Sequence, residues 1–126
     1  MKAVFDTNIL IDYLKGIAGA SDEFERFEAK YISIITYIEV LVGLEDEEVI
    51  KKVKVFLSTF DVVVVNHKVA DLSIAARKKY KFKIPDALIF ATAQSLDAML
   101  VTRNTNDFPQ SIPIVRMPYK LSHGDV

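Results

Sequence analysis

Short apolar runs alternate with longer stretches of helical period along the whole chain, and this alternation constrains the fold more than any other feature. Ala3-Val4-Phe5 is a buried strand in miniature, broken at once by Asp6-Thr7-Asn8. Tyr31-Ile32-Ser33-Ile34-Ile35 is β-branched and reads as a second strand. Val62 to Val65 gives a third, Ala98 to Thr102 a fourth, and Ile114-Val115-Arg116 a candidate fifth. Between them, Ile9, Leu10, Tyr13 and Leu14 recur at helical spacing up to Gly16, and Ser21-Asp22-Glu23 reads as a helix start. Thr36 to Val42 reads as a helix closed by Gly43, and acidic Glu45 to Glu48 ahead of Lys51, Lys52 and Lys54 suits a helix dipole. His67 to Tyr80, and Pro85 to about Asp97, complete the helices. Short buried strands alternating with helices predict an α/β fold, a parallel sheet covered on both faces.

With 126 residues the chain is expected to be a single domain, residues 1–126, with a polar, loosely held tail from about 117 to 126. Cysteine is absent and there are two histidines, which excludes a disulfide framework and a thiolate metal site. Lys plus Arg is 16 and Asp plus Glu is 17, a formal charge of -1, so contact with nucleic acid requires a local basic patch or a bound cation rather than bulk charge. No apolar segment approaches the roughly 18 residues of a membrane span. The first apolar run stops at Asp6, too early for a signal peptide, and a cytoplasmic protein with no membrane partner is expected.

In a parallel sheet, ligands bind beyond the carboxyl ends of the strands, at the switch in strand order. Asp6, Thr7 and Asn8 follow the first strand, Thr36 and Glu39 the second, and Thr102, Asn104 and Asp107 the fourth; Asp86 lies in the first turn of the helix begun by Pro85. Each has a structural explanation. Asp6 or Thr7 can cap a helix, Thr36-x-x-Glu39 matches a capping box, Asp86 meets a helix dipole, and Asn104 with Asp107 can shape a turn. Together they point further. Carboxylates converging on one crevice raise one another's pKa unless a divalent cation offsets their charge. All-oxygen donors favour Mg²⁺ or Mn²⁺, in one or two ions, and suit metal-activated water attacking a phosphodiester.

The segments Val4-Phe5-Asp6-Thr7-Asn8, Thr36-Tyr37-Ile38-Glu39, Ile84-Pro85-Asp86-Ala87-Leu88-Ile89 and Leu100-Val101-Thr102-Arg103-Asn104-Thr105-Asn106-Asp107-Phe108, in that order, resemble the motifs of PIN-domain ribonucleases, most closely the VapC-like toxins of type II toxin–antitoxin pairs. The resemblance implies a three-layer α/β/α domain with a central, mainly parallel sheet of four to five strands. It implies that Asp6, Glu39, Asp86 and Asp107 are catalytic, that they hold the metal, and that Thr7, Asn8, Thr36, Thr102 and Asn104 orient them, with Asn104 and Asp107 able to exchange roles. It implies hydrolysis of RNA, a homodimer and an antitoxin that covers the cleft with an apolar helical segment. Phe24, Phe27 and Leu44 are candidates for that docking surface, with burial in the core as the competing expectation.

Arg77-Lys78-Lys79-Tyr80-Lys81-Phe82-Lys83 is the densest basic run, and Lys81, Lys83 and Arg103 are candidate RNA contacts, with an aromatic available to stack on a base. Asp12 reads as exposed or capping, Asp97 as a helix end, and His67 as a surface or capping residue. Three other readings compete. One is a PIN-type nuclease of RNA processing or structured DNA without an antitoxin. Another is a non-cleaving PIN-fold binding module, which predicts lost carboxylates. The third, a haloacid-dehalogenase or receiver fold, fits poorly, because Asn8 stands where the first needs Asp and Asn66 follows the third strand.

Overall fold

The run after the N-terminus becomes the central strand of a five-stranded sheet. The computed structural model describes residues 1–121. β1 (Lys2–Phe5) pairs with β2 (Ala29–Ser33) on one side and with β4 (Met99–Val101) on the other. β3 (Asp61–Val63) extends the sheet from β2, and β5 (Val115–Arg116) from β4. Every pairing is parallel and the order is β3-β2-β1-β4-β5, so the direction of winding reverses between β1 and β4.

The helices are α1 (Thr7–Leu14), α2 (Ala18–Glu25), α3 (Ile34–Val42), α4 (Glu47–Leu57), α5 (His67–Tyr80) and α6 (Ile84–Leu96). The two-residue period of β1 divides them into layers. Ala3 and Phe5 point into one core with Ile9, Leu10, Phe24, Phe27, Ile32, Val40, Val53, Leu57 and Phe60, contributed by α1 to α4, β2 and the turns after α2 and α4. Val4 points the other way, with Leu100 and Val115, onto Ala76, Phe82, Ala87, Phe90 and Phe108, under α5 and α6. Phe5 is fully buried, and Phe24, Phe27 and Phe60 meet its ring edge to face at 4.9, 5.9 and 5.9 Å. The three-layer α/β/α architecture expected from the resemblance is present.

Element boundaries move by a few residues where a cap decides them. α2 starts at Ala18 rather than Ser21, which puts Glu23 inside the helix, 2% exposed and paired with Arg116. α3 starts at Ile34 rather than Thr36, because the Ser33 hydroxyl caps it by accepting from the Ile35 amide at 3.0 Å. α4 is capped by Asp46, whose side chain accepts from the Glu48 and Val49 amides. Asp97 ends α6 in the left-handed conformation, the helix-end role expected of it.

The expected loose tail does not describe Tyr119. Its ring lies on α2 over Gly19, where an added Cβ would come within 2.8 Å of Tyr119 Cγ, and its hydroxyl donates to Asp12 at 2.7 Å. Residues 122–126 of that tail lie outside the described residues.

Candidate active site

β1 and β4 end side by side at the switch in strand order, and their first residues beyond the sheet touch. Asp6 follows β1 and is 6% exposed; Thr102 follows β4 and is fully buried. The Thr102 hydroxyl donates to Asp6 Oδ2 at 2.8 Å, and Asn8 Nδ2 donates to the same oxygen at 3.1 Å. Asp6 is also the N-cap of α1, with Oδ1 accepting from the Thr7 amide at 2.8 Å. The capping explanation therefore holds for Asp6, and it holds alongside a second role. One carboxylate oxygen serves the helix while the other is held by Thr102 and Asn8.

Glu39 is not part of a capping box. The Thr7 hydroxyl donates to Glu39 Oε1 at 2.6 Å and lies 3.1 Å from the hydroxyl of Thr36, which is fully buried. Because Ser33 already caps α3, Thr36 and Glu39 both lie inside the helix and are free to turn toward α1. α6 opens with Ile84 and Pro85 and presents half-buried Asp86 in its first turn. Beyond Thr102, Asn104 Nδ2 donates to Asp107 Oδ2 at 2.7 Å, and the Asp107 amide donates back to Asn104 Oδ1 at 3.2 Å. The turn-shaping explanation for this pair is thus correct, and Asn104 holds the Asp107 carboxylate.

The four acidic side chains share one electrostatic environment. Burial pushes the Asp6 carboxyl up to about 6; the Thr102 hydroxyl and the Thr7 amide oppose the rise, and the charges of Asp86 and Glu39 add to it. Burial also raises Asp86, with Asp107 and Glu39 adding to the rise and Lys83 opposing it. Asp6, Glu39, Asp86 and Asp107 therefore converge on the carboxyl end of the sheet. Among the described residues, no three His, Cys, Asp or Glu side chains are drawn together tightly enough to enclose a metal ion by themselves.

The basic candidates separate. Lys83 is the N-cap residue of α6, exposed, and its charge is felt by Asp86. Lys81 is exposed at the left-handed end of α5. Arg77 turns back to the Phe82 carbonyl, as a helix-end residue would. Phe82 is buried among Tyr80, Phe90 and Phe108, so it has no free face for a base. Arg103 also departs from expectation. Its guanidinium forms a two-pronged pair with Asp12, which is 2% exposed rather than on the surface. His67 is exposed at the first position of α5, after the Asn66 cap.

A parallel α/β domain that gathers acidic side chains at its topological switch point belongs to a recognisable class of sites for phosphate chemistry. The PIN domain model matches residues 3–110, and the chain belongs to the PIN domain family. No curated protein matches the sequence significantly. Among solved structures, the chain is similar to a toxin-antitoxin complex from Klebsiella pneumoniae, with 42% identity over 95% of this chain and 100% of that one, at a TM-score of 0.89. It shares its fold with the DNA-bound VapBC of Salmonella typhimurium (24% identity, 92% and 96% covered, TM-score 0.76). The same holds for FitAcB of Neisseria gonorrhoeae (21% identity, 94% and 99% covered, TM-score 0.73).

Proposed function

We propose that the protein is a metal-dependent endoribonuclease, the toxin of a toxin–antitoxin pair, working through Asp6, Glu39, Asp86 and Asp107. The observation that carries this reading is the Asp6 carboxyl, held against Thr102 and raised by its burial, with the charges of Asp86 and Glu39 adding to the rise. A carboxylate in that position is costly unless it is protonated or opposed by a cation.

The donor set fits Mg²⁺ or Mn²⁺. All its atoms are oxygens, and Mg²⁺ keeps several waters and needs only one or two carboxylates, so a closed protein cage is not required. Asp6, Asp86 and Asp107 would hold the ion, directly or through water, with Glu39 helping to ligate it or to orient the attacking water. A bound ion would lower the pKa of a coordinated water and offset charge on the phosphoryl oxygens. The chain's own residues do the rest. Asn8 and Thr102 fix one face of Asp6, Thr7 aims Glu39, and Asn104 aims Asp107. Lys83, and Lys81 beyond it, meet the phosphate backbone of the RNA.

The antitoxin reading rests on the Klebsiella pneumoniae toxin-antitoxin complex and on the surface. Phe24 and Phe27 are in the core and Leu44 packs against it, so the docking surface lies elsewhere. Ile11 and Leu14 on α1, and Ile38 and Val42 on the adjoining α3, are exposed. Ile38 neighbours Glu39, so an apolar helix on this face would lie beside the acidic crevice. We assign the antitoxin to this face and a homodimer to the active form. No helix among the described residues is long and apolar enough to cross a membrane.

The experiment is cleavage of pooled cellular RNA by the purified protein in Mg²⁺, in Mn²⁺ and in EDTA, with Asp6→Asn in parallel. Cutting that requires metal and disappears in the variant is expected. Metal-independent cutting that survives Asp6→Asn would overturn the reading.

A further inference from the structure

The loop after β4 is anchored on two sides, and only one of them belongs to the acidic crevice. On the crevice side, the Thr102 hydroxyl donates to Asp6 and accepts from the Asn104 amide at 3.0 Å. On the other side, the Arg103 side chain turns to α1, where Nη2 meets Asp12 Oδ1 at 2.9 Å and Nε meets Oδ2. The Tyr119 hydroxyl donates to that same Oδ2. The Arg103 amide donates to Asn8 Oδ1 at 3.2 Å, and Asn8 in turn donates to Asp6. A continuous path of hydrogen bonds thus runs from Tyr119 through Asp12, Arg103 and Asn8 to Asp6.

Neighbouring residues in this loop face opposite ways. Anchoring Arg103 toward α1 therefore directs Thr102 and Asn104 toward Asp6 and Asp107. With Asp12 buried and Arg103 partly exposed, the pair is a poor choice for stability alone, since withdrawing the buried charge from water offsets much of the attraction. What the planar guanidinium fork adds is orientation, because its two prongs fix the angle as well as the distance.

We propose that Asp12, Arg103 and Tyr119 are positioning residues that hold the loop after β4, and with it Asp6 and Asp107, in the arrangement the acidic site requires. The inference rests on the reading of that site as a metal-dependent nuclease. It also reassigns Arg103 from the phosphate contact that the sequence suggested.

The test uses the full chain with Asp12→Asn, Arg103→Lys, Tyr119→Phe and the double variant Asp12→Asn/Arg103→Lys. Mn²⁺ affinity is read by electron paramagnetic resonance of free ion, and RNA cleavage gives kcat and KM separately. Asp12→Asn and Arg103→Lys are each expected to weaken Mn²⁺ binding about tenfold and to lower kcat, as lost support of a ligand does. KM for RNA should change by no more than about twofold. The double variant should be no worse than the worse single one, since both break the same link. Unchanged Mn²⁺ affinity in the folded variants would overturn the inference. So would an Arg103→Lys variant that raises KM while Asp12→Asn does not, the mark of a direct phosphate contact. Should Asp12→Asn fail to fold, Arg103→Lys and Tyr119→Phe bear the test. Amide exchange at Arg103 and Asn104 separates the two possible failures. Faster exchange there in Tyr119→Phe, with the α6 core unchanged, supports the anchoring even if the wild type neither binds Mn²⁺ nor cuts RNA, which would sink the nuclease reading alone. Exchange unchanged at both amides would remove the anchoring itself.

Discussion

Thr7 and Glu39, 32 residues apart in the chain, are joined by a hydroxyl-to-carboxylate hydrogen bond of 2.6 Å. The bond ties the first residue of α1 to the middle of α3 across the carboxyl end of the sheet. It also explains why a Glu in a capping-box pattern is not a cap. The Thr7 hydroxyl offers Glu39 a charge-assisted partner, and Ser33 has already satisfied the helix start.

Removing that hydroxyl should leave the fold intact and the carboxylate unguided. Thr7→Val is expected to lower kcat for RNA cleavage by about 10- to 100-fold, while Thr7→Ser, which keeps the donor, stays within a few-fold of wild type. Steady-state kinetics in Mn²⁺ check this. Equal loss in both variants would mean that the methyl group, not the hydroxyl, matters.

Asp6 makes the metal-free protein sensitive to pH in an uncommon direction. Its carboxyl sits at about 6 in the folded state against an ordinary 3.8, so between those values the folded state holds more protons than the unfolded one. Stability therefore falls as pH rises through that window, and the loss is complete above the folded value. The penalty is about 3 kcal/mol at pH 8. Asp6→Asn should recover about 2–3 kcal/mol of it in urea unfolding at pH 8, in EDTA, and should change little at pH 3.5, where both side chains are neutral. A difference that is the same at both pH values would rule out burial of the charge as its source.

Lys81 ends α5 at φ 65° and ψ 26°, a left-handed conformation that costs a side-chain-bearing residue about 1 kcal/mol. Lys81→Gly should raise the urea midpoint by the equivalent of about 0.5–1 kcal/mol. The same variant should weaken RNA binding and flatten its salt dependence by about one counterion, if Lys81 meets a phosphate as proposed. Stability and binding would then move in opposite directions from one substitution.

Gly19 and Tyr119 give a paired prediction. Within α2, Gly→Ala ordinarily gains up to about 1 kcal/mol. Here the new Cβ would lie 2.8 Å from Tyr119 Cγ, and the overlap should cost about 1–3 kcal/mol. Gly19→Ala is thus expected to destabilise the wild type and to stabilise Tyr119→Ala. Thermal unfolding of the four proteins measures the coupling. A stabilising Gly19→Ala in the wild type would show that the Tyr119 ring yields without cost.

Much of this molecule was legible in local pattern. Periodicity placed α5 at His67–Tyr80 and located all five strands to within about two residues, because buried strands and amphipathic helices write their environment into neighbouring side chains. The motifs also singled out Asp6, Glu39, Asp86 and Asp107 as candidates, since acidic residues just beyond strands or in a helix's first turn are visible without knowing how the strands are ordered. What local pattern did not contain was partnership. Asp12 looks like any polar residue on a short helix until Arg103, 91 positions away, is brought beside it. Tyr119 looks like part of a polar tail until Gly19 opens a place for its ring. Phe82 looks like an aromatic in a basic run until α6 packs Phe90 against it. Each of these depends on which surfaces the order β3-β2-β1-β4-β5 presses together. The sequence by itself determined the layers and the acidic make-up of the crevice, because both follow from residue type and short-range spacing. Only the tertiary structure decided which side chain caps, which pairs and which aims a carboxylate, because those roles depend on contacts between residues far apart in the chain.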